Sequence, residues 1–288
     1  MVQYIRGLKW TPGTVPGVQK GGKMSIAIET VKTDDVLMDY FRFGKKGGSP
    51  VFVLPGLSVK SVMGSADIVA AAFALMADEF DVYVMDRRKN IPSEYSIDNM
   101  AEDTIKAIKK IGFDSVNIMG TSQGGMIALS IAIKAPELVN SLLVLSSSSH
   151  HNEKSDNVIK NWIDLAKSGD KEGLMVDFAA KCYTKEYNDK YLDAFKQLAG
   201  LVTDEELKRF VVIANDLLHF DVSDEVQKIK CKTLVLAAEN DIVFGKETSL
   251  EIAEKLGCEC YVYPNYCHAF YDEVPECVER ITKFLRSI

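Results

Sequence analysis

The chain has 288 residues, of which 47% are hydrophobic and 26% are charged, a composition typical of globular proteins. This length suits one large α/β domain or two small ones. The formal net charge is -7, which argues mildly against nucleic acid or an anionic membrane as a partner, and no apolar run approaches membrane-spanning length.

Residues 1–23 contain several glycines and prolines and lack the apolar stretch of a secretory signal, so we expect a flexible N-terminal extension. The six cysteines, in a chain without an export signal, are expected to be the reduced thiols of a cytoplasmic protein. Cys258 and Cys260 alternate along a predicted strand, which puts both thiols on one face. A metal site would need further ligands nearby, so we expect no metal.

Short apolar strands and amphipathic helices alternate along the rest of the chain. Hydrophobic periodicity predicts helices at 96–111, which Ser96 can cap and Gly112 can end, and also at 66–79, 125–133, 247–256 and 274–285. It predicts an opening antiparallel pair of strands at 26–31 and 36–43, followed by strands at 51–54, 82–85, 115–119, 141–145, 233–237 and 260–263. This alternation indicates an α/β fold with a mostly parallel central sheet covered by helices on both faces.

One long segment, from about residue 150 to residue 219, interrupts the alternation. It contains no predicted strand, and helical patterns cover 157–167, 171–182, 188–198 and 204–218. We therefore predict a core formed by residues 24–149 and 220–288, with an all-helical cap at 150–219. The large apolar side chains of the cap should mostly pack its helices together, and a few of them should line a substrate pocket.

The segment Gly120-Thr121-Ser122-Gln123-Gly124 joins a predicted strand to a predicted helix. A nucleophile elbow requires this Gly-x-Ser-x-Gly spacing, because side chains two residues before and after the serine would collide with neighbouring backbone. The serine hydroxyl then points clear of the sheet edge, next to amides at a helix N-terminus, where developing negative charge is favoured. The same residues could form a plain glycine-rich turn with a capping serine, so the context decides.

A serine nucleophile needs a base within hydrogen-bond reach and an acid that orients the base. Among the four histidines, His268 follows the last predicted strand. Because the carboxyl ends of parallel strands share one edge of a sheet, we expect His268 to lie near Ser122 and to act as the base. Glu239 and Asp241 both follow the strand at 233–237, and position alone leaves either as the acid.

With a serine, then an acid, then a histidine on these elements, the chain resembles the α/β-hydrolase fold family from about residue 24 to residue 288. In that family the acid usually falls three residues after a glycine that closes its strand. Ala238 replaces this glycine here, and counting from it favours Asp241 over Glu239.

The resemblance also implies two backbone donors for an oxyanion. One is the amide of Gln123, directly after the nucleophile, and the other is the amide of Leu57, in the loop after the strand at 51–54. The family often has His-Gly in this loop where the chain has Pro55-Gly56, a change that leaves the amide in place.

A further motif of the family, Asp-x-Arg-Gly, often follows the next strand. The chain has Asp86-Arg87-Arg88-Lys89 there, so Arg88 matches the arginine and Lys89 replaces the glycine. Arg88 either pairs with nearby carboxylates as a structural residue or supplies a cation at the pocket rim that attracts an acidic substrate.

The resemblance implies a serine hydrolase with a helical cap that cleaves a small carboxylic ester through an acyl-enzyme. Its partner would be a small-molecule acyl substrate, with no cofactor, no nucleic acid and no membrane; the oligomeric state cannot be read from the sequence. The same residues can also serve amide, lactone or carbon–carbon bond cleavage, or acyl transfer. A non-enzymatic ligand-binding module is a distant alternative, since one fold hosts many functions.

Overall fold

The computed structural model describes residues 25–288, so the extension predicted at 1–23 lies outside the described residues. One eight-stranded sheet forms the centre of this part of the chain. Its strands are β1 Ile28–Thr33, β2 Val36–Gly44, β3 Ser49–Leu54, β4 Phe80–Arg88, β5 Val116–Thr121, β6 Val139–Leu145, β7 Lys232–Ala238 and β8 Glu259–Tyr263.

The strands lie in the order β1-β2-β4-β3-β5-β6-β7-β8. β1 and β2 form an antiparallel pair and β2 is antiparallel to β4, whereas every other pairing is parallel. The mostly parallel sheet and its antiparallel opening pair are therefore confirmed. The carboxyl ends of β3, β5, β7 and β8 share one edge, which is where ligand sites form in open α/β sheets.

Helices cover both faces of the sheet, as predicted. They are α1 Ala66–Ala72, α2 Ile97–Ile111, α3 Gln123–Lys134, α4 Glu153–Ser168, α5 Lys171–Cys182, α6 Lys185–Ala199, α7 Asp204–Asn215, α8 Lys246–Leu256, α9 Phe270–Glu273 and α10 Glu276–Leu285. One buried apolar cluster packs α2, α3, α8 and the helices from α4 to α7, and a second packs α1, α9 and α10 on the other face. Within residues 25–288, no helix has the length and apolar character needed to cross a membrane.

Several predicted helices differ from the structure in their bounds. The helix predicted at 204–218 ends at Asn215, and a separate 3₁₀ turn follows at Asp216–Leu218. The helix predicted at 66–79 ends at Ala72, and a separate 3₁₀ turn follows at Ala74–Met76. The helix predicted at 274–285 begins only at Glu276, after the extended Val274. Val274 precedes Pro275, and the proline ring disfavours helical backbone in the residue before it. The chain before this break forms the short helix α9, which the periodicity did not predict.

Helices α4 to α7 follow one another between β6 and β7 with no strand among residues 153–215. The chain segments that enter and leave this helical insertion pair with each other. His150 bridges to Asp221, and the amide of His151 donates to the carbonyl of Phe220 at 2.9 Å. This pairing supports our proposed division into a core at 24–149 and 220–288 and a cap at 150–219.

Candidate active site

Ser122 lies between β5 and α3 in a backbone conformation that side chains rarely adopt. Its φ is 54° and its ψ is -123°, a strain that typically costs about 1–3 kcal/mol and persists only where the surroundings enforce it. Its amide donates to the carbonyl of Leu145 on β6 at 2.8 Å. A Cβ on Gly120 would overlap the backbone of Gly124, and a Cβ on Gly124 would overlap the carbonyl of Leu54. The tight turn therefore needs glycine at both positions.

His268 and Asp241 complete a hydrogen-bonded chain that starts at Ser122. The His268 Nε2 atom lies 2.9 Å from the Ser122 Oγ, and the His268 Nδ1 atom lies 2.8 Å from the Asp241 Oδ2. All three residues are buried. With the proton on Nδ1, the imidazole donates to the carboxylate and accepts from the serine hydroxyl. The structure thus brings together the three side chains that the sequence analysis selected.

The backbone also holds the Asp241 carboxylate in place. Its Oδ1 accepts from the amides of Val243 at 2.8 Å and Phe244 at 3.1 Å. Burial alone would raise the pKa of this carboxyl, but His268 and the two amides bring the pKa below its ordinary value. Asp241 is therefore ionised at neutral pH, as an orienting acid must be.

Glu239, the other acid considered, is placed differently. It is exposed, and its Oε2 accepts from the amide of Asn265 at 3.2 Å, in the turn after β8. Asn265 has a φ of 65°, so this contact supports a left-handed turn residue. The side chain of Glu239 holds the loop, and Asp241 contacts the histidine.

The loop after β3 approaches the serine closely. A Cβ on Gly56 would lie 3.0 Å from the Ser122 Cβ, so glycine lets this backbone reach the hydroxyl. Leu57 is buried and lines the same cavity as Ser122. Gln123 is the first residue of α3, where amides have no partner within the helix. Both predicted donors therefore belong to segments that border the serine.

A cavity of about 110 Å³ opens onto Ser122 and His268. Apolar residues from the sheet and α1 form one wall, and they are Val53, Val69, Phe73 and Val84. Residues of the helical insertion form the facing wall, and they are Met175, Phe178, Cys182, Tyr183 and Leu198. The expectation that a few large apolar side chains of this insertion line a pocket agrees with this arrangement.

Comparisons with known proteins agree with this architecture. A family model described as alpha/beta hydrolase fold matches residues 50–171. A solved alpha/beta hydrolase enzyme from a Medee basin deep-sea metagenome library superposes with a TM-score of 0.80 at 20% identity, over 89% of this chain and 97% of the other. The chain has the α/β-hydrolase fold.

The proteins similar to this chain carry several names. A protein of Rhizobium rhizogenes named putative carbamate hydrolase RutD is 23% identical over 234 residues, which are 78% of this chain and 89% of the relative. The carboxylesterase YbfK of Bacillus subtilis is 23% identical over 249 residues, or 84% of this chain and 82% of the relative. The enol-lactonase from Burkholderia xenovorans LB400 superposes with a TM-score of 0.78 at 15% identity, over 90% of this chain and 100% of the other.

Sequence reasoning missed one residue beside the candidate site, the buried Arg87. Its Nη2 donates to the carbonyl of Pro55 and to the Oε1 of Gln123, both at 2.7 Å. Burial lowers the pKa of Arg87 to about 10, partly offset by Asp86, so the guanidinium stays charged at neutral pH. The sequence signal that could have found it was the Asp-x-Arg-Gly motif, but that motif matches the next residue, Arg88.

Arg88, the arginine that matches the motif, pairs with nearby carboxylates, which is the structural role that the sequence analysis considered. Its Nε lies 3.1 Å from the Asp103 Oδ2, and its Nη2 lies 3.5 Å from the Asp35 Oδ2. Its guanidinium also lies over the ring of Tyr95. Arg88 is not among the residues that line the cavity, so the interpretation as a rim cation is wrong.

Hydrogen bonds join the helical insertion to the loop that carries His268. The amide of Ala269 donates to the carbonyl of Cys182 at 2.8 Å, and the hydroxyl of Tyr183 donates to Asp272 at 2.9 Å. The amide and the hydroxyl of Thr184 both donate to the carboxylate of Glu273. Four hydrogen bonds therefore join the turn between α5 and α6 to residues 269–273.

None of the six cysteines forms a disulfide bond. Cys267 beside the histidine is half-buried, with burial raising the pKa of its thiol. Burial also raises the pKa values of Cys258 and Cys260 to about 11. Among residues 25–288, no group of three or more histidine, cysteine or acidic side chains is arranged to hold a metal ion.

Proposed function

We propose that the chain is a serine hydrolase that cleaves a small carboxylic ester through an acyl-enzyme. The observation that carries this proposal is the pair of contacts at His268, 2.9 Å to the Ser122 Oγ and 2.8 Å to the Asp241 Oδ2. A hydroxyl is a poor nucleophile at neutral pH, and a base at this distance is what activates it. The relative named carboxylesterase also supports the proposal.

In the proposed reaction, the Ser122 Oγ attacks the carbonyl carbon while the His268 Nε2 takes the hydroxyl proton. Asp241 keeps the imidazole in the required tautomer and stabilises the imidazolium. The amides of Leu57 and Gln123 donate to the oxyanion of the tetrahedral intermediate. His268 then protonates the leaving alcohol, and a water molecule, deprotonated by the same base, releases the acid and restores Ser122.

The cavity bears on the size of the acyl group. Its volume of about 110 Å³ is smaller than the 150 Å³ or so of an engineered protein cavity that binds benzene. Its walls include the apolar residues Val53, Val69 and Phe73, and Lys60 and Asp272 also line it. A short acyl group fits this space better than a fatty acyl chain does.

Carbamate cleavage is the second candidate, favoured by the relatives named putative carbamate hydrolase. It would use the same steps through a carbamoyl-serine. Nitrophenyl acetate and nitrophenyl carbamate differ only by a methyl group against an amino group of similar size. A higher kcat/KM for the carbamate than for the acetate, after correction for their rates of hydrolysis in buffer, would favour carbamate cleavage.

The first test is Ser122→Ala. We expect the variant to fold, because alanine only removes a hydroxyl, and to lose at least about 10⁴-fold in kcat for nitrophenyl acetate. A fluorophosphonate probe, whose phosphorus bonds to an activated serine oxygen as fluoride leaves, should label the wild-type chain and not the variant. Ser168→Ala, at an exposed serine near the end of α4, should behave as wild type.

Turnover that survives in Ser122→Ala contradicts the proposal. A folded wild-type chain that neither reacts with the probe nor hydrolyses any nitrophenyl ester points instead to a ligand-binding module. Ester products formed from an added alcohol in place of the free acid point to acyl transfer. Lactone and amide substrates in the same assay test the remaining alternatives.

A further inference from the structure

Arg87 contacts both segments that carry the proposed oxyanion donors. The residue follows Asp86 at the end of β4, and its side chain is almost fully buried. One nitrogen, Nη2, donates to the carbonyl of Pro55 and to the side-chain oxygen of Gln123, with both distances at 2.7 Å. Pro55 opens the loop that leads to Leu57, and Gln123 carries the other donor on its own backbone.

We propose that Arg87 is a positioning residue for the oxyanion hole, an inference that rests on the proposed serine-hydrolase function. The contact with Pro55 fixes the peptide plane directly before Gly56, which restricts how the next amide, that of Leu57, can turn. The contact with Gln123 anchors the side chain of the residue whose amide is the second donor. One charged group thus sets the separation of two donors that must converge on one oxygen.

The cost of burying Arg87 supports a functional role. Its Nε has no hydrogen-bond partner among the described residues, and its Nη1 reaches only Asp86, at 3.6 Å. Burying a charged group with part of its donors unsatisfied opposes folding, whereas an apolar side chain of the same size would not. The two contacts made by Nη2 are what an apolar side chain could not supply.

The same network extends to the helical insertion. The Gln123 Nε2 donates to the carbonyl of Ile213 on α7 at 2.5 Å. The Nη2 of Arg209, also on α7, lies 3.2 Å from the Asp86 Oδ1, and the Ser61 hydroxyl donates to the Asp86 Oδ2 at 2.6 Å. The donors are therefore held between the loop after β3 and the helix α7, so that loop, elbow and insertion share one buried polar network.

The experiment compares Arg87→Met and Arg87→Lys with wild type on nitrophenyl acetate. Methionine keeps most of the volume but makes neither contact, so we expect kcat to fall by about 10²-fold, the usual cost of misplacing catalytic groups by about 1 Å. KM should stay nearly unchanged, because the donors act mainly on the transition state. Lysine can make one of the two contacts and should recover part of the loss.

The inhibition constant of a small alkylboronic acid is a measurement that should not change if Arg87 only stabilises the fold. Boronic acids bond to the serine oxygen and place a negatively charged oxygen where the oxyanion forms. The inhibition constant should therefore rise by the same factor as kcat/KM falls across wild type, Arg87→Lys and Arg87→Met. End-point labelling with the fluorophosphonate probe measures the fraction of molecules whose Ser122 is reactive. A loss of folded protein is therefore not mistaken for a lower kcat.

Arg88→Met is the matched control, since the neighbouring arginine pairs with Asp103 and does not line the cavity. It should leave kcat and boronate affinity close to wild type. If Arg87→Met does not fold, Gln123→Met removes one of the two contacts and should show a smaller loss of the same kind.

Three results overturn the inference. They are a raised KM at constant kcat, a boronate affinity that does not follow kcat/KM, and an equal loss in Arg88→Met. Each of these results presupposes Ser122-dependent turnover in the wild type. Absence of that turnover is instead a failure of the proposed function, so the two failures are distinguishable.

Discussion

Asp241 and Glu239 are two residues apart, and they make different contacts. Asp241 is buried against His268, while Glu239 accepts a hydrogen bond from the backbone of Asn265. Both follow β7 at the edge of the sheet where the carboxyl ends of the parallel strands lie. Position along the chain therefore could not show which of them contacts His268. The separation arises from the direction of each side chain in the loop.

Asp241→Asn should lower kcat for nitrophenyl acetate by about 10⁴-fold, because an amide cannot hold the same tautomer of His268 or stabilise its positive charge. Glu239→Gln should stay within about threefold of wild type, because the glutamine oxygen can still accept from Asn265 and the substitution changes no contact with the histidine. Steady-state kinetics on both variants provide the measurement. A larger loss in Glu239→Gln than in Asp241→Asn would mean that the orienting acid is misassigned.

Position after a strand was enough to predict that Ser122 and His268 lie at one edge of a parallel sheet, whereas Asp241 was preferred over Glu239 only through the resemblance to the α/β-hydrolase fold family. The sequence was not sufficient to choose between Arg87 and Arg88. Successive side chains at the end of a strand point to opposite faces, and a motif position does not reveal which face meets the active site. Arg87 turns toward Gln123 and Arg88 toward Asp103.

At the scale of elements, the turn between α5 and α6 is joined to α9. Thr184 is the N-cap of α6, and its hydroxyl accepts from the amide of Tyr187 at 3.3 Å while it donates to Glu273 at 2.5 Å. One hydroxyl thus caps the beginning of α6 and joins it to the segment that follows His268. The insertion and the histidine loop are expected to resist separation.

Thr184→Ala should lower the free energy of unfolding by about 1 kcal/mol from the lost cap, with a further loss from the Glu273 carboxylate. Thr203→Ala is the matched comparison, because Thr203 caps α7 in a similar way but its hydroxyl bonds only to Glu206 of its own helix, at an exposed site. Urea unfolding of both variants gives the two values. An equal or greater cost in Thr203→Ala would show that the tie to Glu273 contributes nothing.

Elements were predicted best where local signals agree. Ser96 and Gly112 bound α2 as expected, with the Ser96 hydroxyl accepting from the amide of Asn99 and Gly112 at a φ of 111°. The closing helix was predicted too long, because apolar periodicity continues through Val274 while the following Pro275 opposes helical backbone there. Periodicity reports which face is buried, and it does not report where the backbone breaks.

For the whole molecule, alternation of strands and helices was enough to predict the fold. The size of the cavity was not predictable, because it depends on how the α5 and α6 side chains meet the wall formed by β3, β4 and α1. The residues that line the cavity lie up to more than 100 positions apart in the sequence, as Val69 and Phe178 do, and no local pattern encodes how they meet.

The cavity predicts a preference for short acyl groups. In a series of nitrophenyl esters, kcat/KM should be highest between acetate and butyrate and should fall at octanoate, because a space of about 110 Å³ cannot hold a long chain. Val69→Ala should shift the optimum toward longer chains by removing two methyl groups from the wall. A wild-type optimum at octanoate would show that acyl chains leave the site by another route.

The backbone around Gly124 leaves no room for a side chain. A side chain there would meet the carbonyl of Leu54, the last residue of the strand that leads into the loop of Leu57. The turn that carries Ser122 and the start of the loop that carries Leu57 therefore pack directly against each other at Gly124. Selection or engineering for new substrates must therefore change the cavity walls at positions such as Val69 or Met175. A side chain added at Gly124 would displace both the Ser122 hydroxyl and the Leu57 amide.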